Sequence, residues 1–427
     1  MTDVVPYRLS IASELVAFRP ELEYASDFLD RCYFVQRRAE ATRVLHYGAN
    51  PPKGAVAMPA KLFPDGAWLD GGGIHPNPAQ LRVLLADSAV SVAGGRLDYD
   101  ALALIFCMLS RLEERDAETT DRYGRFEFGA ASLGTHTAPL ADCAARDLAV
   151  RLTGDAAPQS RTQYEVMLTH DVDRLRGFHR PLEPLRWAVG DIVKRRHPAN
   201  AVTRVRDAWF SGEPWRSVDM LMALSENHNL TSRFYFMGPT ELSMDSPYAH
   251  TMPGLLRRVT DSIQQHGHVV GFHPGFGTAT DAAQWNRQRD GLEAVTGVTL
   301  SEGRQHVLGY DATVTPDIWN DAGMVLDTTL GFPEFTGFRA GTCRRFAAYS
   351  LRRRRSLRLE QLSTAVMDFG LMGGKYRDLS TAAALEECEA AARTCREFGG
   401  TLVILYHTGQ TQQPMREFYE NLLERVQ

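Results

Sequence analysis

The sequence predicts an α/β fold in which a smaller N-terminal α/β domain precedes a parallel sheet closed into a barrel. Strand-like and helix-like segments alternate from about residue 160 to the C-terminus, which is typical of parallel sheets with crossover helices. The 427 residues exceed the size of one ordinary hydrophobic core, which makes two domains the default. A barrel is favoured over an open sheet because chemically competent side chains follow several strands, where barrel active sites form.

The N-terminal domain is expected to span residues 1–158 and the barrel residues 159–427. The boundary lies inside a segment rich in Gly, Pro and Ser. Within the first domain, apolar runs at 44–48 and 55–58 predict strands, and the pattern over 98–115 predicts a helix. The sequence of this domain shows no catalytic constellation, so function is sought in the barrel.

The predicted barrel carries clear patterns for strands and for helices. The strands are expected at 164–169, 233–237, 269–272, 323–326 and 402–406. The helices between them are expected at 217–227, 254–265, 281–295 and 381–398. This order places a helix between successive strands, as a parallel sheet requires.

Composition narrows the class of protein. Hydrophobic residues make up 44% of the chain and charged residues 23%, which describes a globular protein rather than a disordered or fibrous one. The net charge of −5 argues against a general nucleic-acid binder. We expect a cytoplasmic protein with reduced thiols, because there is no secretory-signal or membrane-span pattern and the six cysteines are scattered without a CxxC pair.

Two carboxylates, Asp171 and Asp173, end the first strand of the predicted barrel. Residues two apart on a strand point to the same face, so both acids are expected in one small space. Two negative charges at such a short distance repel each other, which is costly unless a metal, a proton or a cation compensates them. The alternative is a turn in which one aspartate caps a helix and the other faces solvent.

Three histidines also follow strands: His273 and His407 follow two of those above, and His306 follows another short strand-like run. Any one of them alone is more often a hydrogen-bonded loop residue, but together with Asp171 and Asp173 they indicate one barrel mouth. Carboxylate and imidazole ligands suit a divalent transition metal such as zinc, with an open position for water. The second carboxylate would then be free to act as a base, and a distant histidine as an acid.

These short motifs recur in the order seen in a known superfamily. The motifs are Thr169–Asp173, Gly267–Pro274, Arg304–His306 and Ile404–His407, and they resemble the polysaccharide deacetylase (NodB-homology, carbohydrate esterase 4-like) superfamily. Residues 109–114 and 121–126 resemble pieces of an extra N-terminal domain of unknown function found in one branch. The resemblance implies a distorted (β/α)₇ barrel and metal-dependent removal of an N- or O-acetyl group from a sugar.

The resemblance also implies a role for each matching residue. Asp171 matches the general base and Asp173 the metal-binding aspartate. His273 matches the first histidine of the metal motif, Arg304 the arginine that orients the base, and His407 the late histidine that acts as acid.

One position departs from the pattern of the superfamily. The second metal histidine usually follows the first by four residues, and here that position is Gly277. Two protein ligands hold zinc poorly. We therefore expect His306 to supply the third ligand from a neighbouring loop, as a hypothesis motivated by its place beside Arg304.

Two further residues are candidates for substrate binding. Arg339 lies between glycines and could pair with Asp171 or hold a substrate anion, the alternative being bonds to loop carbonyls. Asp327 could bind a sugar or cap a helix. The arginine run 352–355 is interpreted as a solvated edge or turn, in preference to a site for an acidic glycan.

Three functions are compatible with these observations. The first is a metal-dependent deacetylase of a carbohydrate or glycan precursor. The second is a metal-free hydrolase that splits a C–N amide bond in a small substrate, which the glycine at position 277 favours. The third is a glycan-binding protein on a degenerate enzyme scaffold, which would not require both an acid and a base.

Overall fold

The computed structural model describes residues 3–63, 67–93, 98–115, 119–127, 137–176, 185, 188–189, 214–242, 244–410 and 414–427. The chain has a mixed α/β fold and divides into two compact units. Unit 1 comprises Met1–Glu165, Val307–Asp378 and Glu386–Val403, and unit 2 comprises Val166–His306, Leu379–Leu385 and Ile404–Gln427. Among the described residues, no helix has the length and apolar character needed to cross a membrane. The predicted domain boundary at 158/159 and the closure of a seven-stranded barrel stay predictions.

Unit 1 opens with a four-stranded parallel sheet and the helices that cover it. The strands are β1 (Val5–Ile11), β2 (Val35–Arg37), β3 (Val44–Tyr47) and β4 (Val56–Met58), in the order β2-β1-β3-β4. A hairpin of β5 (Ala67–Asp70) and β6 (Gly73–Pro76) follows. The helices are α1 (Arg19–Cys32), α2 (Pro78–Ala93), α3 (Ala101–Ser110) and α4 (Leu140–Thr153). All ten residues of α3 are buried, so this helix forms the centre of the core of the unit.

Unit 2 contains alternating strands and helices, among them the strands predicted near 164–169, 233–237 and 269–272. Its parallel strands are β7 (Glu165–Val172), β8 (Ser232–Phe236), β9 (Val269–Phe272) and β10 (Glu302–Gly303), each paired with the next. The helices between them are α5 (Pro214–Asn227), α6 (Tyr248–Thr251), α7 (Pro253–Gln265) and α8 (Ala282–Thr296). Because the four strands are parallel, their carboxyl ends lie at one edge of the sheet.

The local sequence explains these elements. In α7, Leu255, Leu256, Val259 and Ile263 repeat at helical spacing and are buried. In β7 every residue from Met167 to Val172 is buried, as expected for a parallel strand covered on both faces.

The rest of the chain supplies the remaining strands and helices. Unit 1 contains α9 (Thr315–Asp321), β11 (Leu326–Asp327), β12 (Phe346–Ser350), β13 (Arg355–Gln361), β14 (Thr364–Met367) and α10 (Asp368–Leu371). Three of the named elements have residues in both units, namely β7, α11 (Thr381–Phe398) and β15 (Thr401–Leu405), whereas α12 (Met415–Val426) lies in unit 2. Strand β15 lies beside β7.

Residues 352–354 of the arginine run lie in the turn between the antiparallel strands β12 and β13, and Arg355 begins β13. Arg352 pairs with Asp317 at 3.4 Å, Arg353 with Asp321 at 2.5 Å, and Arg354 with Glu21 at 2.9 Å. These three arginines therefore have carboxylate partners within unit 1, in agreement with the interpretation as a turn.

A buried ion network in unit 1 corrects one expectation about Arg339. Its guanidinium donates to both carboxylate oxygens of Glu114 at 2.9 and 2.7 Å, and to the carbonyl of Gly331 at 3.3 Å. Arg111 donates to the same carboxylate at 2.8 Å. The suggested pairing of Arg339 with Asp171 is wrong, because Glu114 already satisfies the guanidinium.

Burial acts to raise the pKa of Glu114, but the charges of Arg339 and Arg111 outweigh it and lower that pKa to about 2. Glu114→Gln removes the carboxylate charge between two buried guanidinium groups, and we expect a loss of about 3–5 kcal/mol in the free energy of unfolding at pH 7. Urea unfolding followed by fluorescence would measure it.

Because the folded-state pKa of Glu114 lies below its ordinary value of 4.5, its contribution is complete above that pH and is lost as the pH falls toward 2. The difference in the free energy of unfolding between wild type and Glu114→Gln should therefore decrease by roughly 1.4 kcal/mol per pH unit below about pH 4.5. Glu23→Gln is the matched control, since Glu23 pairs with Arg19 at the surface and should contribute about 1 kcal/mol at most. Equal losses for the two variants would contradict the network.

Candidate metal centre

The candidate site in unit 2 includes two aspartates at the carboxyl end of β7. Asp171 is a residue of the strand and is buried, and Asp173 follows directly after its end and is partly exposed. Their side chains share one face, as the spacing of two predicts. His273 Nε2 lies 3.8 Å from Asp171 Oδ2 and 3.5 Å from Asp173 Oδ1, so both acids face the same imidazole.

His273 is positioned by the backbone of the neighbouring strand. It follows β9 directly, and its Nδ1 donates to the carbonyl of Arg304 at 2.6 Å. Because Nδ1 carries the proton, Nε2 carries the lone pair when the ring is neutral. That lone pair is on the side of the ring that faces the two aspartates, which is the arrangement a metal ligand needs.

His306 joins the same cluster from the segment after β10. One ligand atom each from Asp173, His273 and His306 lie within 4.8 Å of one another. The two imidazole rings have centroids 5.2 Å apart. His306 Nδ1 bonds to Asp245 Oδ1 at 2.7 Å, which leaves its Nε2 for the cluster. The structure therefore brings together the three residues that the sequence predicts as metal ligands.

The donor set fits a divalent ion. Asp173 Oδ1 is buried and has no hydrogen-bond partner among the described residues, which is costly for a carboxylate oxygen without a cation. One carboxylate and two imidazoles, with the far nitrogen of each ring already bound, match the ligands and supporting contacts of catalytic zinc sites. Among the described residues, no other histidine, cysteine or acidic side chains form such a cluster.

The charges of the cluster are coupled. Burial acts to raise the pKa of Asp173, but contact with His273 and the positive charges of His407 and His306 lower it below its usual range. Burial acts to lower the pKa of His273, and the carboxylates of Asp171 and Asp173 outweigh it and raise that pKa. Asp173 is therefore ionised near neutral pH, and a metal would compete with a proton for His273.

Asp171 is bound by a buried arginine. Arg304 is fully buried and donates to Asp171 Oδ1 at 2.9 Å and to the hydroxyl of Thr169 at 2.8 Å. Thr169 in turn donates to the carbonyl of Ile404 at 2.7 Å. The predicted pair of Arg304 and Asp171 is thus present, and Thr169 is a supporting residue that the sequence did not single out.

His407 follows β15, beside the end of β7. The amides on either side of it bond to that strand, Tyr406 to the carbonyl of Thr169 at 3.0 Å and Thr408 to the carbonyl of Asp171 at 3.4 Å. His407 is partly buried, and its charge lowers the pKa of Asp173. The predicted acid therefore lies near the metal-ligand candidates.

The two predicted substrate-binding residues, Arg339 and Asp327, belong to unit 1 and have partners within that unit. Asp327 accepts bonds from Gln361 Nε2 at 2.9 Å and from the amide of Thr329 at 2.8 Å. Arg339 and Asp327 thus both make hydrogen bonds to neighbours in their own unit. This supports structural roles for the two side chains.

Asp245 is a residue of the site that sequence reasoning missed. It lies in the loop between β8 and α6, and its carboxylate is fully buried against His306. Burial acts to raise the pKa of Asp245, but His306 and the amide of Phe276 lower it. It does not directly follow a strand, and it is not part of any of the motifs. No signal in the sequence therefore pointed to it.

The sequence matches no protein-family model and no curated protein. Solved structures do show similarity. A protein of Mycobacterium smegmatis assigned as a polysaccharide deacetylase is 19% identical, over 62% of this chain and 84% of its own, with a TM-score of 0.42. A family 4 carbohydrate esterase of Streptomyces lividans, solved with acetate, is 13% identical over 62% and 86%, with a TM-score of 0.30.

A pseudoenzyme of carbohydrate esterase family 4 from Bacillus anthracis is 12% identical over 62% of this chain and 60% of its own, with a TM-score of 0.30. All three TM-scores are low, so the case for function depends on the side chains of the metal-ligand cluster.

His306→Ala should remove most of the metal from protein loaded with zinc, since Asp173 and His273 alone would hold it poorly. Metal content after gel filtration would be measured by atomic emission on protein without a histidine tag. The control is His266→Ala, because His266 is an exposed histidine that pairs with Glu226. Metal content that survives in His306→Ala would show that His306 is not a ligand.

Proposed function

We propose that this protein is a metal-dependent hydrolase that removes an N- or O-linked acetyl group from a carbohydrate or glycan precursor, with the cytoplasm as its location. The observation that carries the proposal is that the two carboxylates, Asp171 and Asp173, have different partners. One ligand atom each from Asp173, His273 and His306 lie within 4.8 Å of one another, while Asp171 is bound to Arg304. Asp173 is thus suited to hold a divalent ion, and its carboxylate together with two imidazoles favours zinc. Asp171 is suited to act as a base.

A divalent ion held by Asp173, His273 and His306 would lower the pKa of a bound water toward 7 and polarise the substrate carbonyl. The protein groups around it supply the proton transfers. Arg304 occupies Oδ1 of Asp171, so Oδ2 is the oxygen that remains to accept a proton from the attacking water. Because Arg304 is buried and also bound to Thr169, Asp171 is held in place before the substrate arrives.

His407 supplies the second proton transfer. It is near Asp173, next to the end of β7, and only partly buried, so a substrate can reach it. In the protonated form it would donate to the leaving amine or alkoxide as the acetyl group departs. The reaction class is taken from the motif resemblance, in which Asp171 is the base and His407 the acid.

The metal-free alternative depends on the glycine at position 277. With His306 in the cluster, three donor side chains are present despite that glycine. This supports a metal-dependent reaction over a metal-free hydrolase. The presence of an acid, a base and an orienting arginine supports an enzyme over a glycan-binding protein.

Asp171→Asn keeps the shape of the base but removes its ability to accept a proton. We expect kcat for acetate release to fall by roughly 10²- to 10⁴-fold while zinc content is unchanged. Acetate would be measured enzymatically over a panel of N- and O-acetylated sugars, with zinc by atomic emission. Removal of zinc with a chelator should abolish activity, and added zinc should restore it.

Asp290→Asn is the matched control, since Asp290 is an exposed aspartate that pairs with Arg289 and should leave acetate release unchanged. Asp173→Ala should lose both zinc and activity. Wild-type protein that takes up no zinc at saturation would exclude the proposal, as would activity in Asp171→Asn equal to that of wild type.

A further inference from the structure

Asp245 is buried inside unit 2 and is held there by hydrogen bonds from three residues. Its carboxylate accepts from His306 Nδ1 at 2.7 Å, from the amide of Phe276 at 3.0 Å, and from the hydroxyl of Thr240 at 3.2 Å. The side chain is fully buried. A buried carboxylate with no arginine or lysine among these contacts is stabilised by its hydrogen bonds and by the imidazole, so its place in the fold depends on His306.

The loop after β9 is shaped to receive this carboxylate. A Cβ at Gly275 would lie 2.2 Å from Asp245 Oδ2, so no side chain can be accommodated there while Asp245 keeps its position. Gly277 has a φ of +80°, a conformation that residues with side chains rarely adopt. The position where the superfamily has a second metal histidine is therefore unsuited to one in this chain.

The same loop is tied to the segment that carries His306. The amide of His306 donates to the carbonyl of Pro274 at 2.9 Å, and Gln305 Nε2 donates to the carbonyl of Gly275 at 3.2 Å. The amide of Gly275 donates to Gln288 Oε1 at 2.8 Å. Asp245, the loop and His306 thus form one connected group.

We propose that Asp245 is the positioning residue of the site, which holds His306 as the third ligand in place of the histidine missing at Gly277. A neutral imidazole has one donor nitrogen and one acceptor nitrogen. By accepting from Nδ1, Asp245 keeps the lone pair on Nε2 and fixes the angle of the ring, and its charge makes the ring a better ligand. The inference rests on the proposed function, since it assigns a role at the same metal site.

Asp245→Ala should weaken zinc binding by 10- to 100-fold in competition with a chromogenic chelator. Asp245→Asn should weaken it less, because the amide oxygen can still accept from Nδ1. Gly275→Ala should also weaken it, because the added methyl group displaces Asp245 without removing it. Glu226→Gln is the matched control, a carboxylate that pairs with His266 at the protein surface and should leave zinc binding unchanged.

A second measurement does not need the metal. In zinc-free protein labelled with ¹⁵N-histidine, His306 should be the tautomer protonated at Nδ1, and Asp245→Ala should lose this preference while Asp245→Asn retains it. Thermal unfolding of zinc-free Asp245→Ala close to that of wild type would show that the variant is folded.

The two measurements separate this inference from the function it rests on. Zinc affinity within twofold of wild type and an unchanged tautomer in Asp245→Ala would overturn the role of Asp245 and leave the proposed function intact. Wild-type protein that binds no zinc, but whose His306 tautomer depends on Asp245, would support the positioning role and overturn the metal-dependent function.

Discussion

The geometry of the metal-ligand cluster depends on one residue, Arg304. Its guanidinium binds Asp171, its carbonyl accepts from His273 Nδ1, and its amide donates to the carbonyl of Phe272 at 3.0 Å. It is fully buried, so its charge must be compensated inside the protein, and Asp171 is the carboxylate that does so. A single buried side chain and its backbone thereby orient both the candidate base and a candidate ligand.

The parts of the site that the sequence predicts are those placed by strand ends. Asp171, Asp173 and His273 follow or end parallel strands, and such ends meet at one edge whatever the details of packing. His306 follows a strand of only two residues, so its place in the cluster comes from the bond of its amide to Pro274 rather than from the strand. Asp245 could not be predicted, since it reaches His306 across 61 positions from a loop without a pattern.

The errors have two physical causes, a long-range pairing and a local change of backbone conformation. Arg339 meets Glu114 across 225 positions, and nothing near Arg339 in the sequence shows that its charge is satisfied. The helix predicted over 98–115 ends at Ser110, because Arg111 adopts a left-handed φ of 54° and turns its side chain back to Glu114. The helical pattern of the sequence does not reveal that the helix ends there, since Arg and Glu are both good helix formers.

The three carboxylates of unit 2 that face this site differ in the partner each has, and the partner determines what each can do. Asp171 has a permanent cation on one oxygen, so it cannot easily give both oxygens to a metal, yet the other oxygen can still take a proton. Asp245 is fully buried and accepts hydrogen bonds from His306, Phe276 and Thr240, which suits it to hold His306 rather than to contact a substrate. Asp173 faces imidazoles, and its buried oxygen has no hydrogen bond among the described residues, so it is the one acid of the three for which a metal ion completes the coordination.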